Sequence, residues 1–353
     1  MAGRKVKIGI IGTGGMARMH AQLYQQIPGC EVTAACDISL QRVTEYGDSF
    51  GIPQRFTQSN ELLASGNVDA VSIVTPDASH MPLSLEALKA GKHVLCEKPL
   101  ALTFEDARKM ASAANRAGLI NMVNFSYRNG PAIHQARKMV EQGKIGNVRH
   151  VHAHYLQSWL VQGAWGDWKT TPAWLWRLST KHGSKGVLGD IGVHIVDYAS
   201  YPIGEISGVF CKLQTFPKAK GNRIGEYRLD ANDSALITAE FRSGAVATIH
   251  TTRFAAPNIN ELKLNIYGDE GSLEVINTSQ LNFWPVRKGK LGKKQEVALR
   301  TVPNIHQLFI KGVRSGRQEE PAFSRGVEVQ RVLDACFDSD QQGRMIRLKP
   351  LRK

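Results

Sequence analysis

The sequence predicts an α/β fold: a doubly wound parallel sheet in the N-terminal part, then a C-terminal α/β domain with a large, mostly antiparallel open sheet. Three observations carry this. Up to about residue 125, short β-rich apolar runs alternate with helix-length amphipathic stretches, the pattern of parallel strands joined by crossover helices. The first run ends in a glycine-rich turn that opens a helix. From about residue 148, strand-like runs follow one another through short turns.

The parallel runs are Val6–Ile11, Val32–Cys36, Ala70–Val74, His93–Cys96 and Ile120–Phe125. Between them, residues 15–26, 40–50, 79–90 and 104–117 repeat apolar side chains at threes and fours, as a helix with one buried face requires. In the second half, strands are expected at Val148–Tyr155, Gly208–Phe216, Ser234–Phe241, Ala245–Thr252, Leu262–Tyr267 and Ser272–Ile276. Arg242-Ser243-Gly244 and Gly268-Asp269-Glu270-Gly271 suit hairpin connections. Helices are expected at 188–198, 305–315 and 326–336. A chain of 353 residues exceeds the size at which one core stops growing, which predicts two domains, 1–126 and 127–353, sharing a ligand cleft.

Composition narrows the function. With 42% hydrophobic and 22% charged residues the chain is an ordinary globular protein, and no apolar run approaches the ~20 residues that span a bilayer. The start Met1-Ala2-Gly3-Arg4-Lys5 passes directly into a strand without a cleavage context, so a cytoplasmic location is expected. Cys30, Cys36, Cys96, Cys211 and Cys336 are scattered, which reads as reduced thiols. The net charge of +14 suits an anionic partner such as a dinucleotide or a phosphorylated substrate. Nucleic acid is not expected, because the basic residues are spread and no RNA- or DNA-reading motif accompanies them.

Gly12-Thr13-Gly14-Gly15-Met16-Ala17 is a GxGxxA turn between strand and helix. Small residues there let the backbone approach a pyrophosphate, and the free N–H groups of the helix N-terminus receive it. At the end of the second strand Asp37 can accept hydrogen bonds from the adenosine ribose hydroxyls, or can simply start a surface turn. With the glycines it indicates NAD, and a 2′-phosphate would be repelled, so NADP is disfavoured. The third run leads into Thr75-Pro76 and a helix with His80, and the fourth ends at Glu97-Lys98-Pro99; Thr75, Pro76, His80, Glu97 and Lys98 are expected to contact the cofactor. Carboxyl ends of parallel strands face one ligand crevice, so the Lys98 ammonium is either a group that polarises a substrate oxygen or a lysine snorkelling at a loop. Further on, Asp190 and His194 stand at i, i+4, one helix face apart by a single turn. A carboxylate beside an imidazole suits acid–base work on a hydroxyl, though a packed helical histidine would look the same.

Together the GxGxxA turn, Thr75-Pro76 with His80, Glu97-Lys98-Pro99 and the Asp190-x-Gly192-x-His194-x-x-Asp197 run resemble the Gfo/Idh/MocA family, that of glucose-fructose oxidoreductase and inositol 2-dehydrogenase. The resemblance extends over Asn124-Phe125-Ser126-Tyr127-Arg128 and the Gly268–Leu273 turn. It implies a Rossmann domain, NAD(P), a ring hydroxyl of a sugar, glycoside, anhydrosugar or cyclitol as substrate, and a homodimer or homotetramer built on the open sheet. Lys98, Asp190 and His194 would be the catalytic set, with His194 the proton acceptor, Asp190 its partner and Lys98 on the reacting oxygen. Asn124 and Arg128 would lie near the nicotinamide or substrate, and Trp176-Arg177 would touch the cofactor or the substrate. The family also contains NAD-requiring, redox-neutral glycosidases and non-catalytic sensors, which are the alternatives.

The chain departs from the family pattern at Gly183-Ser184-Lys185-Gly186 and in a segment holding Trp159, Trp165, Trp168, Trp174 and Trp176. Aromatic faces can stack on sugar rings, or the tryptophans can pack as a lid. No metal site is expected: His150, His152 and His154 alternate along a strand in a way that better suits a polar sheet face.

Overall fold

The computed structural model describes residues 5–351. The chain forms two compact units, Met1–Ser126 with Pro303–Gln330, and Tyr127–Val302 with Arg331–Lys353.

The first unit is built on β1 (Val6–Ile11), β2 (Cys30–Cys36), β3 (Gln54–Phe56), β4 (Ala70–Ile73), β5 (His93–Cys96) and β6 (Asn121–Val123). All pair in parallel in the order β3-β2-β1-β4-β5-β6, the doubly wound arrangement whose strand order reverses beside β1. The crossovers are α1 (Gly15–Gln25), α2 (Leu40–Phe50), α3 (Ser59–Ala64), α4 (His80–Lys89) and α5 (Phe104–Ala117). β1, β4 and β5 are almost wholly buried, which is why they read as continuous apolar runs. α2 and α5 begin on Ser39 and Thr103, whose side chains accept N–H bonds from the first turn, and end on left-handed glycines, Gly51 and Gly118.

The second unit opens with α6 (Pro131–Glu141) and β7 (Val148–Gln157). Short helical turns follow, among them α7 (Pro172–Leu175), before α8 (Val193–Ser200). Then come β8 (Ile206–Gln214), the small hairpin β9 (Arg223–Ile224) and β10 (Tyr227–Arg228), and the strands β11 (Ser234–Phe241), β12 (Val246–Thr252), β13 (Asn260–Gly268), β14 (Gly271–Ile276) and β15 (Gln280–Arg287). The two-residue strands β16 (Lys290–Leu291) and β17 (Gln295–Glu296) fold back on β15. With β18 (Ile346–Arg347) the large sheet runs β16-β15-β14-β13-β7-β12-β11-β8-β18 and is antiparallel except where β7 meets β12. Alternate residues of β7, β11 and β13 are buried, so one face of the sheet carries the core.

Where the sequence suggests a single boundary after residue 126, the chain returns to the first unit at 303–330. The physical reason is α9 (Ile305–Ser315), capped by the reciprocal Asn304–Gln307 box, whose buried Ile305, His306, Phe309 and Ile310 pack on α1, β1 and β6. Gln318 then brackets β6: its side-chain oxygen accepts from Asn121 N, and its amide donates to Asn121 O. α10 (Phe323–Gln342) carries the chain on into the second unit. No helix among the described residues is long and apolar enough to cross a membrane.

Candidate active site

In the first unit, β1 delivers the glycine turn to the N-terminus of α1. Gly12 has φ +92°, and a Cβ there would lie 2.4 Å from Val74 O, so only glycine allows this close approach. Gly14 and Gly15 are the reverse case: a Cβ on either would meet nothing within 4 Å, and no side chain caps α1. Gly14, Gly15 and Met16 are exposed, leaving the N–H groups of the first turn open to a pyrophosphate.

Asp37 ends β2 beside this turn. Its Oδ2 accepts from Thr13 N at 3.0 Å and Thr13 Oγ1 at 2.9 Å, and its Oδ1 from Ser39 N at 3.0 Å. Arg42 Nη2 also lies 2.9 Å from Oδ1. Burial raises the carboxyl, but these hydrogen bonds and the Arg42 charge outweigh it and hold the pKa below the ordinary aspartate value. Asp37 is thus a fixed anion, and Thr13 contributes by orienting it.

The Glu97-Lys98-Pro99 segment ends β5. Glu97 is not aimed at a ligand: Oε1 accepts from Asn124 Nδ2 at 2.6 Å and lies 2.9 Å from His20 Nε2, while Oε2 accepts from Lys98 N at 3.1 Å. Burial opposes the charge, yet His20 and Asn124 bring the pKa down to about 2. The expected cofactor contact is instead an internal anion that holds the backbone of Lys98. His20, on α1, also meets Ser72 Oγ at 3.0 Å, and through Glu97 it links α1 to the lysine segment. Asn124 keeps Oδ1 buried without a partner among the described residues, an acceptor open to an N–H donor such as a carboxamide.

His80 is likewise withdrawn from any cofactor. It is buried, with Nδ1 2.7 Å from Pro99 O and Nε2 2.9 Å from Thr75 O. Thr75, Pro76 and Lys98 retain exposed or half-exposed surface. The open helix end, the Gly12 approach and the ionised Asp37 fit a dinucleotide.

In the second unit, Asp190 and His194 lie on one helical stretch, but it opens as a wide π-turn over Leu188–Gly192 before continuing as α8. Such i→i+5 turns recur at functional sites. His194 is buried, and the Tyr127 ring meets it edge-on with centroids 4.8 Å apart. Tyr155 stands behind, hydrogen-bonded to the Tyr127 hydroxyl and donating to Asn260 Oδ1 at 2.8 Å. Burial and the neighbouring Tyr127 push the Tyr155 phenol above its ordinary range.

Asp190 Oδ2 accepts from Arg253 Nη2 at 2.9 Å, with Arg177 Nε at 3.9 Å. Arg253 has no exposed surface, lies over the Trp159 ring at 5.0 Å, and donates to Arg177 O at 3.2 Å. Arg177 itself stacks on Trp174 and Trp176. Arg128, expected at the substrate, forms a buried bidentate pair with Asp197 at 2.8 and 2.6 Å and stacks on Tyr201. Two of its five N–H donors and one face of the guanidinium are thereby engaged inside the unit.

The tryptophans divide. Trp159 and Trp168 form a core with Leu160, Leu175, Leu178 and Leu229, against which Trp165 and Trp174 pack, so most of their faces are spent on each other. Trp176 is half-buried. His152 meets Thr248 and His154 meets Glu261 on the sheet face, and among the described residues no cluster is placed to hold a metal ion. Sequence reading missed His20, Tyr127, Tyr155 and Arg253. Tyr127 was inside a quoted motif; the others become visible only through contacts distant along the chain.

Residues 6–125 match an oxidoreductase family with an NAD-binding Rossmann fold, and residues 133–274 match the GFO/IDH/MocA C-terminal domain. Levoglucosan dehydrogenase of Pseudarthrobacter phenanthrenivorans is 27% identical over 95% of this chain and 96% of its own. 1,5-Anhydro-D-fructose reductase of Ensifer adhaerens is 33% identical over 75% and 74%. A structure of levoglucosan dehydrogenase in complex with NADH superposes with a TM-score of 0.88 at 25% identity, covering 99% of this chain and 100% of that one. The chain therefore belongs to the Gfo/Idh/MocA family of oxidoreductases, with an NAD-binding Rossmann unit followed by that family's C-terminal domain.

Proposed function

We propose that this chain is an NAD-dependent dehydrogenase acting on a ring hydroxyl of a small sugar, glycoside, anhydrosugar or cyclitol. The observation that carries the reading is the presence of Lys98 at the end of β5 and of Asp190 and His194 on one helical stretch, in a chain that is similar over nearly its full length to levoglucosan dehydrogenase. Bound NAD supplies the hydride acceptor. His194 takes the hydroxyl proton on an imidazole nitrogen as the carbon is oxidised and returns it in the reverse direction. Lys98 donates an N–H to the reacting oxygen and stabilises the charge that develops there. Asp190, paired with Arg253, stabilises the protonated form of His194.

Asp37 supports NAD over NADP, since a fixed carboxylate repels a 2′-phosphate. The exposed face of the large sheet carries Phe210 on β8, Leu236 on β11, Val246 on β12 and Tyr267 on β13 among polar side chains, a mixed surface suited to a homodimer or homotetramer. Five free cysteines suit the cytoplasm.

The test is absorbance at 340 nm with NAD and a panel of levoglucosan, aldoses, cyclitols and glycosides, using His194→Ala as the control. NADH formed only by the intact protein supports the reading. Silence across the panel, with NADH still bound, would replace it with a redox-neutral glycosidase or a sensor.

A further inference from the structure

His80 lies wholly inside the first unit, at the start of α4, and each ring nitrogen faces a backbone carbonyl: Nδ1 to Pro99 O at 2.7 Å and Nε2 to Thr75 O at 2.9 Å. A carbonyl oxygen only accepts. A neutral imidazole carries one N–H and one lone pair, so it could satisfy one carbonyl and would press its lone pair against the other at hydrogen-bond distance, away from water. An imidazolium donates to both.

We infer that His80 is held as an imidazolium and acts as a positioning residue, clamping the Thr75 and Pro99 carbonyls so that the segments ending β4 and β5 keep one geometry around Lys98. The two carbonyls belong to the loops at the carboxyl ends of neighbouring strands, where a parallel sheet of this type receives its ligand. Lys98 is bonded through its peptide to Pro99 and held from the other side by Glu97, so its backbone is fixed by one buried anion and one buried cation.

The surroundings agree. Burial works against the charged ring, but the Cys96 sulfur, the Asp77 carboxylate and the Pro99 carbonyl work for it, and the balance lifts His80 to about 10. An ordinary histidine, with a pKa of about 6.5, is almost entirely neutral at pH 8.

The charge is tested by long-range proton–nitrogen correlation NMR on 15N-histidine-labelled protein at pH 8, assigned through the backbone in the wild-type chain. Both His80 ring nitrogens in the protonated range are expected; one nitrogen in the unprotonated range overturns the inference. The clamp is tested by fluorescence titration with NADH. His80→Gln, whose amide keeps N–H donors, should stay within about threefold of wild type, and His80→Leu should weaken binding tenfold or more at temperatures below its melting transition. Wild-type affinity in His80→Leu overturns the positioning role, and if that variant does not fold, an affinity loss of tenfold or more in His80→Gln does so. The inference rests on the NAD-binding reading, but neither readout needs a sugar substrate, so failure of the dehydrogenase assay and failure here are separate results.

Discussion

Arg253 Nη2 donates to Asp190 Oδ2 at 2.9 Å from a guanidinium with no exposed surface. The pair joins the end of β12 to the π-turn ahead of α8, so the carboxylate is fixed before any substrate arrives. Removing the arginine takes away the 2.9 Å partner and leaves the more distant Arg177, whose Nε lies 3.9 Å away. Arg253→Met should lower kcat/KM at least tenfold with NADH affinity unchanged, and cost about 2–3 kcal/mol in urea denaturation, below the range for fully buried pairs because Asp190 is still 28% exposed. Unchanged kinetics would show that Asp190 needs no anchor.

Asp37 is a second fixed anion, and Arg42 stands against it with 57% of its side chain exposed. Asp37→Ala removes both the ribose acceptor and the charge that repels a 2′-phosphate, and leaves Arg42 available to one. Calorimetric titration should show NAD binding weakened about tenfold and NADP binding strengthened. If NADP binds no better, Asp37 does not set the cofactor choice.

Glu97 gives a pH dependence of known sign. Its pKa falls from an ordinary 4.5 to about 2 on folding, so the native state favours the carboxylate. The stabilisation is fully present above pH 4.5 and is lost as the pH falls toward 2, a contribution of roughly 3 kcal/mol. The urea midpoint of the wild type should therefore drop more steeply between pH 5 and 3 than that of Glu97→Gln. Parallel curves would mean that Glu97 carries no such load.

Much of the fold was legible because the driving patterns are local. Residues 40–50, 104–117 and 305–315 form helices with the expected bounds, each with a clear apolar stripe and a polar cap. β3 escaped notice because three residues with one apolar side chain carry no period, and α6 because two of its four buried residues are alanines behind an N-terminal proline. β15 contains Pro285, which reads as a break in a strand. In the candidate site, spacing offered Lys98, Asp190 and His194 as candidates, and the family resemblance gave them their expected roles. It could not show that Glu97, His80 and Arg128 face inward, since their partners are set by tertiary contacts: His20 is 77 residues from Glu97, and Asp197 is 69 from Arg128.

The return of residues 303–330 bears on how the protein is made. A ribosome releases the β1–β6 sheet long before it reaches α9, so the surface that Ile305, Phe309 and Ile310 will cover stays bare while Tyr127–Val302 is being synthesised. A fragment ending at residue 126 keeps the same apolar patch exposed permanently. Fusing 303–330 to such a fragment through a short flexible linker should restore its solubility, which makes the last helices of the chain an intramolecular companion to the first strands.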